Sequence, residues 1–145
     1  MKFAELLRKI LPGVWFGLLA AIALLTPAAF SVLGRQEAGV LARAVFALEA
    51  PASIVLGALL LVLERRSAWS RHLAHSTSQF SAEMMLVLGT LFCTVAGYYA
   101  LEPQLEAART GAATTWSFGQ LHAASTAFFG FKGLLVLALA WRAAR

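Results

Sequence analysis

Four long apolar segments fill most of this chain of 145 residues, and each is long enough to cross a lipid bilayer. A membrane-spanning helix needs about 20 mainly apolar residues. The segments do not alternate apolar and polar residues, as the strands of a membrane β-barrel would. We therefore predict an all-α integral membrane four-helix bundle that forms one domain over residues 1–145. The predicted spans are residues 11–33, 44–63, 84–101 and 121–141.

The distribution of Lys and Arg predicts how the bundle is oriented. Eight of these residues lie on the side that holds both termini and the connection between spans two and three, and two lie on the other side. The eight are Lys2, Arg8, Lys9, Arg65, Arg66, Arg71, Arg142 and Arg145, and the two are Arg35 and Arg109. Basic residues concentrate in cytoplasmic loops. We therefore expect a multi-pass protein of the cell inner membrane with both termini in the cytoplasm.

The same distribution accounts for the net charge of +5 without a nucleic-acid partner. The expected partner is the lipid bilayer, whose anionic head groups attract basic residues. A homo-oligomer or a second membrane protein is a further expected partner. Small residues recur every four positions in three spans and predict close helix packing, with a homodimer face as the alternative. They are Gly13, Gly17 and Ala21, then Ser53 and Gly57, then Gly89, Cys93 and Gly97.

Two charged residues, Glu49 and Lys132, lie inside the second and fourth apolar segments. Each follows the expected start of its helix, Ala38 or Leu121, by eleven residues, which is about 15 Å along a helix. Both helices run in the same direction, so the two charges should lie at similar depth. An unpaired Lys at the centre of a span costs about 2.5–3.5 kcal/mol. We predict a structural ion pair; the alternative is a proton, ion or substrate site.

The other polar residues give weaker evidence for a functional site than Glu49 and Lys132 do. His122, Ser125 and Lys132 share one face of the fourth span, with His122 near the outer surface. His72 and His75 form an H-x-x-H sequence that could place two metal ligands on one helical turn, but no Cys or Asp lies nearby. We predict no metal site and no cofactor, and these three histidines are the only candidate ligands. No catalytic motif is present, and we expect the protein not to be an enzyme.

Two local features are also predicted. Pro103 suits the first turn of a short helix between spans three and four, and Gly111 could end that helix. Trp15 and Trp141 should lie near the inner membrane interface, and Tyr98, Tyr99 and Trp116 near the outer one.

Several short sequences resemble the transmembrane protein 205-like family of small four-helix membrane proteins, whose shared domain has unknown function. They are Trp15-Phe16-Gly17, Pro27-Ala28-Ala29-Phe30, Ala38-Gly39, Phe46, Glu102-Pro103, Arg109 and Leu121-His122-Ala123-Ala124-Ser125. The resemblance covers about residues 12–140 and implies a membrane fold with His122, Ser125 and Arg109 as shared polar residues. Phe129 stands where the family often has Asn, and Lys132 is not part of the family pattern. The architecture is also similar to that of four-helix copper-resistance and haem-binding membrane proteins.

These observations lead to three functional hypotheses. The first is a non-enzymatic accessory or packing protein in which Glu49 and Lys132 are structural. The second is a small transport or ion-coupling protein, in which Glu49, Lys132 and His122 line a path from the outer face. The third is a haem- or copper-binding membrane protein that uses His122 as a ligand.

Overall fold

A computed structural model of the chain describes residues 2–75 and 80–145, except for the side chains at positions 2, 71 and 73–75. The described residues form helices and turns without any strand. The helices are α1 (Lys2–Val32), α2 (Arg35–His75), α3 (Ala82–Thr94), α4 (Glu102–Arg109) and α5 (Phe118–Ala143), and a π-helical segment (Val95–Ala100) joins α3 to α4. The all-helical fold class is confirmed.

Four helical stretches are long and apolar enough to cross a membrane, which makes the chain a multi-pass membrane protein. They are Phe3–Val32, Arg35–Ser70, Ala82–Arg109 and Phe118–Ala143. The last three each contain a whole predicted span and extend beyond it at both ends, and the first contains the predicted span 11–33 except for its last residue. The structure extends α2 furthest, since its 41 residues measure about 60 Å at 1.5 Å per residue. The hydrocarbon core of a bilayer is about 30 Å thick, so α2 continues as a helix well past the membrane boundary.

The four long helices stand at the corners of a square. α1 and α3 each pack against both α2 and α5, so α2 and α5 occupy opposite corners. Two ion pairs join the helices at the end of the bundle where both chain termini lie, which we call the terminal end. Arg8 Nε lies 2.7 Å from Glu64 Oε1, and Arg142 Nη2 lies 2.7 Å from Glu83 Oε1. The opposite end, with the turn at Leu33–Gly34 and helix α4, is the loop end.

Local sequence explains how the chain turns at the loop end. Helix α4 has Pro103 in its first turn, as predicted. It ends where Gly111 adopts a positive φ of 77°, and Ala112 N–H donates to the carbonyl of Ala107, which is the pattern of a glycine-terminated helix. Helix α5 begins at a reciprocal cap: Gln120 N–H donates to Ser117 Oγ, and Ser117 N–H donates to Gln120 Oε1. The predicted short helix is therefore confirmed.

The small residues of spans two and three lie where helices approach closely. A Cβ atom at Gly57 would lie 2.5 Å from Leu91 Cδ2, and one at Gly97 would lie 2.6 Å from Phe128 Cβ. The packing role predicted for these glycines is confirmed. Gly13 and Gly17 have open space around them and lie on the exposed side of α1, so packing within this bundle does not explain the first stripe.

Trp15 faces the interior of the bundle, so the prediction that its side chain lies among the aromatic residues of the membrane interface is wrong. The side chain is fully buried in a core at the terminal end of the bundle, with Leu19, Leu60, Val87, Val136 and Leu139. Trp15 Nε1 donates a hydrogen bond of 2.9 Å to Ser53 Oγ. A Trp side chain can leave the interface because its one polar group finds a partner inside the bundle.

Candidate functional site

The two interior charges meet at the centre of the bundle. Lys132 Nζ lies 2.7 Å from Glu49 Oε1 and 2.9 Å from Glu49 Oε2. Both residues are only 3% exposed. Because α2 and α5 occupy opposite corners of the square, this ion pair spans the bundle diagonally. It therefore fixes the relative depth of two helices that do not pack side by side.

A hydrogen-bonded chain continues from the ion pair towards α1. The Ser53 hydroxyl donates to Glu49 Oε1 and accepts the hydrogen bond from Trp15 Nε1. Lys132 Nζ also lies 5.2 Å from the centre of the Phe129 ring, within range of a cation–π contact. The Glu49 carboxylate thus receives three hydrogen bonds from two donor groups. Buried charges are tolerated when they are paired and hydrogen-bonded in this way.

The Trp15–Ser53 hydrogen bond can be tested separately. Trp15→Phe removes the indole N–H and keeps an aromatic ring in the core, so we expect the free energy of unfolding to fall by about 1 kcal/mol or somewhat more. The measurement is unfolding of the purified protein by a denaturing detergent. Trp141→Phe is the control, because Trp141 is exposed and should tolerate the change. Equal free energies of unfolding for the two variants would show that the Trp15–Ser53 hydrogen bond does not stabilise the fold.

A cavity of about 750 Å³ opens between the ion pair and the loop end. All four membrane-spanning stretches and α4 contribute to its wall, which is mainly apolar. The apolar part of the wall includes Ile22, Phe30, Val40, Phe46, Leu105, Phe118 and Phe129. The polar and charged part includes Thr26, Arg35, Gln36, Arg43, Thr94, Tyr98, Glu102, Arg109, His122, Ser125 and Thr126, with Glu49 and Lys132 at the deep end. The cavity therefore reaches from one end of the bundle to the ion pair.

The π-helical segment shapes one wall of this cavity. Gly97 and Tyr98 belong to it and both line the cavity. Ser125 Oγ donates a hydrogen bond of 3.0 Å to the Gly97 carbonyl and so ties α5 to this segment. π-helical turns leave backbone groups outside the regular ladder and occur frequently at functional sites. Ser125, which the family resemblance implied as a shared residue, thus has a positioning contact at the cavity wall.

Arg109 and His122, the other two residues from the resemblance, meet through one aromatic ring. Arg109 Cζ lies 5.5 Å from the centre of the Phe118 ring, and His122 stacks on that ring at 5.9 Å with an interplanar angle of 8°. Arg109 also forms ion pairs with Glu102 at 3.2 Å and Glu106 at 2.9 Å. This group lies at the loop end of the cavity, where it holds α4 against the start of α5.

Arg35 and Arg43 are different from the other cations that line the cavity. Lys132 and Arg109 form ion pairs with glutamates, but neither Arg35 nor Arg43 has an ion-pair partner within the described residues. Both are on the loop-end half of α2, two helical turns apart, and both are exposed. Near the mouth, the charged side chains that line the cavity are thus three arginines, Arg35, Arg43 and Arg109, and one glutamate, Glu102.

No group of three or more His, Cys or Glu side chains suited to a metal ion occurs within the described part of the chain. His122 lines the cavity, and His72 lies near the other end of the bundle, in the last part of α2, and is not part of the cavity wall. The structure therefore does not bring these two histidines together. The side chain of His75 lies outside the described residues, so the H-x-x-H hypothesis stays a prediction.

Sequence reasoning missed several residues of the site. Ser53 lies one helical turn after Glu49, and Phe118 one turn before His122, so helical spacing could have identified both. The position of Arg35 predicted only the orientation of the bundle, and Arg43 entered no prediction. The cavity itself had no signal in the sequence, because it depends on how four helices and a π-helical segment diverge at one end.

The model of the family described as domain of unknown function DUF4149 matches residues 10–114 of the chain. The match includes α2, α3, α4 and most of α1, and with them Glu49, Ser53 and Arg109; it ends before α5, which carries Lys132, His122 and Ser125. Comparison with curated proteins found no match, and neither did comparison with solved structures.

Proposed function

The chain belongs to this DUF4149 family, and we propose that it is a non-enzymatic membrane protein that binds a small ligand in the loop-end cavity. The observation that carries the proposal is the cavity of about 750 Å³ that ends on the Glu49–Lys132 ion pair. Ligand sites typically have volumes of about 300–1,000 Å³, mainly apolar walls and a few polar groups that fix orientation. The cavity has each of these properties.

The hydrogen bonds of the ion pair support ligand binding rather than catalysis. Both Glu49 oxygens receive hydrogen bonds from Lys132, and one also receives a bond from Ser53. A carboxylate held in this way has three of its acceptor positions occupied by Lys132 and Ser53, which suits a structural role. We propose that the pair is structural, as the first functional hypothesis states, and forms the closed floor of the cavity.

The second hypothesis, transport, needs a path through the terminal half of the bundle. Below the ion pair, the core residues around Trp15 are at most 2% exposed. This packing separates the cavity from the terminal end. A cavity that is open at one end and closed by a packed core supports ligand binding more than conduction.

A variant whose new side chain takes up part of the cavity tests the proposed ligand binding. Gly39 lines the cavity, and a Cβ atom there would have nothing within 4 Å, so the side chain of Gly39→Phe can leave the backbone freely and take up part of the cavity. Gly17→Phe is the matched control, because Gly17 also has open space but is not part of the cavity wall. We expect native mass spectrometry to detect a retained small molecule on the wild type and on Gly17→Phe. We expect at least about a tenfold lower occupancy on Gly39→Phe, which corresponds to about 1.4 kcal/mol of binding free energy.

Equal occupancy on both variants, with both shown to be helical by circular dichroism, would contradict the proposal. An absorption spectrum and a metal analysis of the same preparations test the haem or copper hypothesis. A Soret band would show bound haem, and stoichiometric copper would show a copper site. Either result would contradict the present proposal and support the haem or copper hypothesis.

We propose that the protein resides in the inner membrane with both termini in the cytoplasm, which the distribution of Lys and Arg supports: eight lie on the side of the termini, and three, Arg35, Arg43 and Arg109, lie at the loop end. The loop end, with the cavity mouth, would then face outwards. The residues shared with the transmembrane protein 205-like family support a relation to that family.

A further inference from the structure

We infer that the ligand of the loop-end cavity is an amphiphile with one anionic head group, a phosphate or a carboxylate, and an apolar body. This inference rests on the proposed function and specifies its ligand class. The head group would lie between Arg35 and Arg43, and the apolar body would occupy the aromatic part of the cavity.

The charges around the cavity place the head group at its mouth. The floor is neutral overall, because Lys132 contacts both oxygens of the Glu49 carboxylate. Arg35 and Arg43 form no ion pair within the described residues, so their guanidinium groups are available to a ligand. They are eight residues apart, about 12 Å along α2. A guanidinium group matches the geometry of a carboxylate or phosphate and forms two parallel hydrogen bonds with it.

The space below the arginines suits an apolar body. The cavity extends about 20 Å along α2 from Arg35 to its floor at Glu49, 14 residues later, and about 9 Å of this depth lies below Arg43. Phe46 and Phe129 contact each other edge to face at 5.2 Å in the deep part of this wall, and Phe30 lies nearer the mouth. Arg43 stands at the start of the predicted apolar span, a position where arginine side chains reach the head-group layer of a membrane. An amphiphile in the adjacent leaflet would have its head group at this level.

The experiment compares three probes on the full-length protein in nonionic detergent. Dodecyl phosphate carries the anionic head group, dodecylphosphocholine has the same chain with a compensating positive charge, and inorganic phosphate has no chain. Native mass spectrometry gives the number of molecules bound and the apparent affinity. We expect dodecyl phosphate to bind at least about tenfold more tightly than dodecylphosphocholine, the effect of about one charge-assisted hydrogen bond. We expect no stoichiometric binding of inorganic phosphate.

Arginine variants identify the groups that recognise the charge. The double variant Arg35→Gln/Arg43→Gln should lose the tenfold preference for dodecyl phosphate and keep the weaker binding of dodecylphosphocholine. The matched control is Arg65→Gln/Arg66→Gln, two exposed arginines on the same helix that are not part of the cavity wall. It should keep the preference.

The possible outcomes separate this inference from the proposed function. In one outcome, Gly39→Phe abolishes binding of both amphiphiles while the arginine variant keeps the preference for dodecyl phosphate. In that case the proposed recognition of an anionic head group by Arg35 and Arg43 is wrong, and the proposal of a ligand in the cavity stands. If Gly39→Phe binds both amphiphiles as the wild type does, the cavity proposal itself is wrong. If inorganic phosphate binds as tightly as dodecyl phosphate, the ligand is a free anion and the inferred amphiphile is wrong.

Discussion

Lys132→Met alone should lower the free energy of unfolding by about 3–5 kcal/mol, because it leaves the Glu49 carboxylate buried without its partner. Glu49→Leu alone should have an effect of similar size, because the Lys132 ammonium then lacks its partner. Both side chains are at most 4% exposed, so water cannot replace the lost contact without opening the bundle. Unfolding by a denaturing detergent, followed by circular dichroism, measures both changes.

The double variant Glu49→Leu/Lys132→Met should recover most of the loss. Apolar side chains of similar size commonly replace a buried ion pair at little or no cost, since the desolvation of two charges is avoided. Ser53 loses its acceptor in this variant, but a serine hydroxyl in a helix can donate to a backbone carbonyl one turn earlier. We therefore expect the double variant to lie within about 1 kcal/mol of the wild type. Single variants with wild-type stability would show that the pair is not desolvated.

Gly97→Ala should destabilise the fold by about 1–3 kcal/mol or more, which is large for one methyl group. The added Cβ would lie 2.6 Å from Phe128 Cβ, an atom that cannot move unless the backbone of α5 moves with it. A shift of α5 would also strain the hydrogen bond from Ser125 to the Gly97 carbonyl. The change should therefore reduce both stability and ligand occupancy of the cavity.

Gly133→Ala is the control for this prediction. Gly133 lies inside α5, and a Cβ atom there has nothing within 4 Å. Alanine is favoured over glycine in a helix interior by about 1 kcal/mol, so this variant should be neutral or slightly more stable. If Gly97→Ala behaves like Gly133→Ala in thermal unfolding, the contact between the π-helical segment and α5 is not tight.

The membrane helices and the depth of the charges were predictable because both depend on local spacing. Twenty apolar residues specify a span, and a rise of 1.5 Å per residue places Glu49 and Lys132 at similar depth. Diagonal pairing across the bundle was not predictable, since it depends on which helices are neighbours. The family resemblance indicated Arg109, His122 and Ser125, but not that Phe118 and the Gly97 carbonyl would be their contacts.

Other features depend on tertiary structure and had no reliable sequence signal. Trp15 was expected at the interface because Trp usually lies there, yet Ser53 on the neighbouring helix provides a buried partner for its N–H group. The π-helical segment Val95–Ala100 follows α3 without any change of composition that would mark it. The cavity results from the combined positions of all these elements.

Photochemical cross-linking tests the central claim most directly. A dodecyl phosphate that carries a photoreactive group on its chain would be bound to the full-length protein, activated by light and mapped by peptide mass spectrometry. Binding in the cavity predicts cross-links at residues of its wall such as Phe46 and Phe129, and their loss in Gly39→Phe. Cross-links confined to outward-facing residues such as Leu24, Val55 and Phe131 would show that the amphiphile only coats the bundle and would contradict the account.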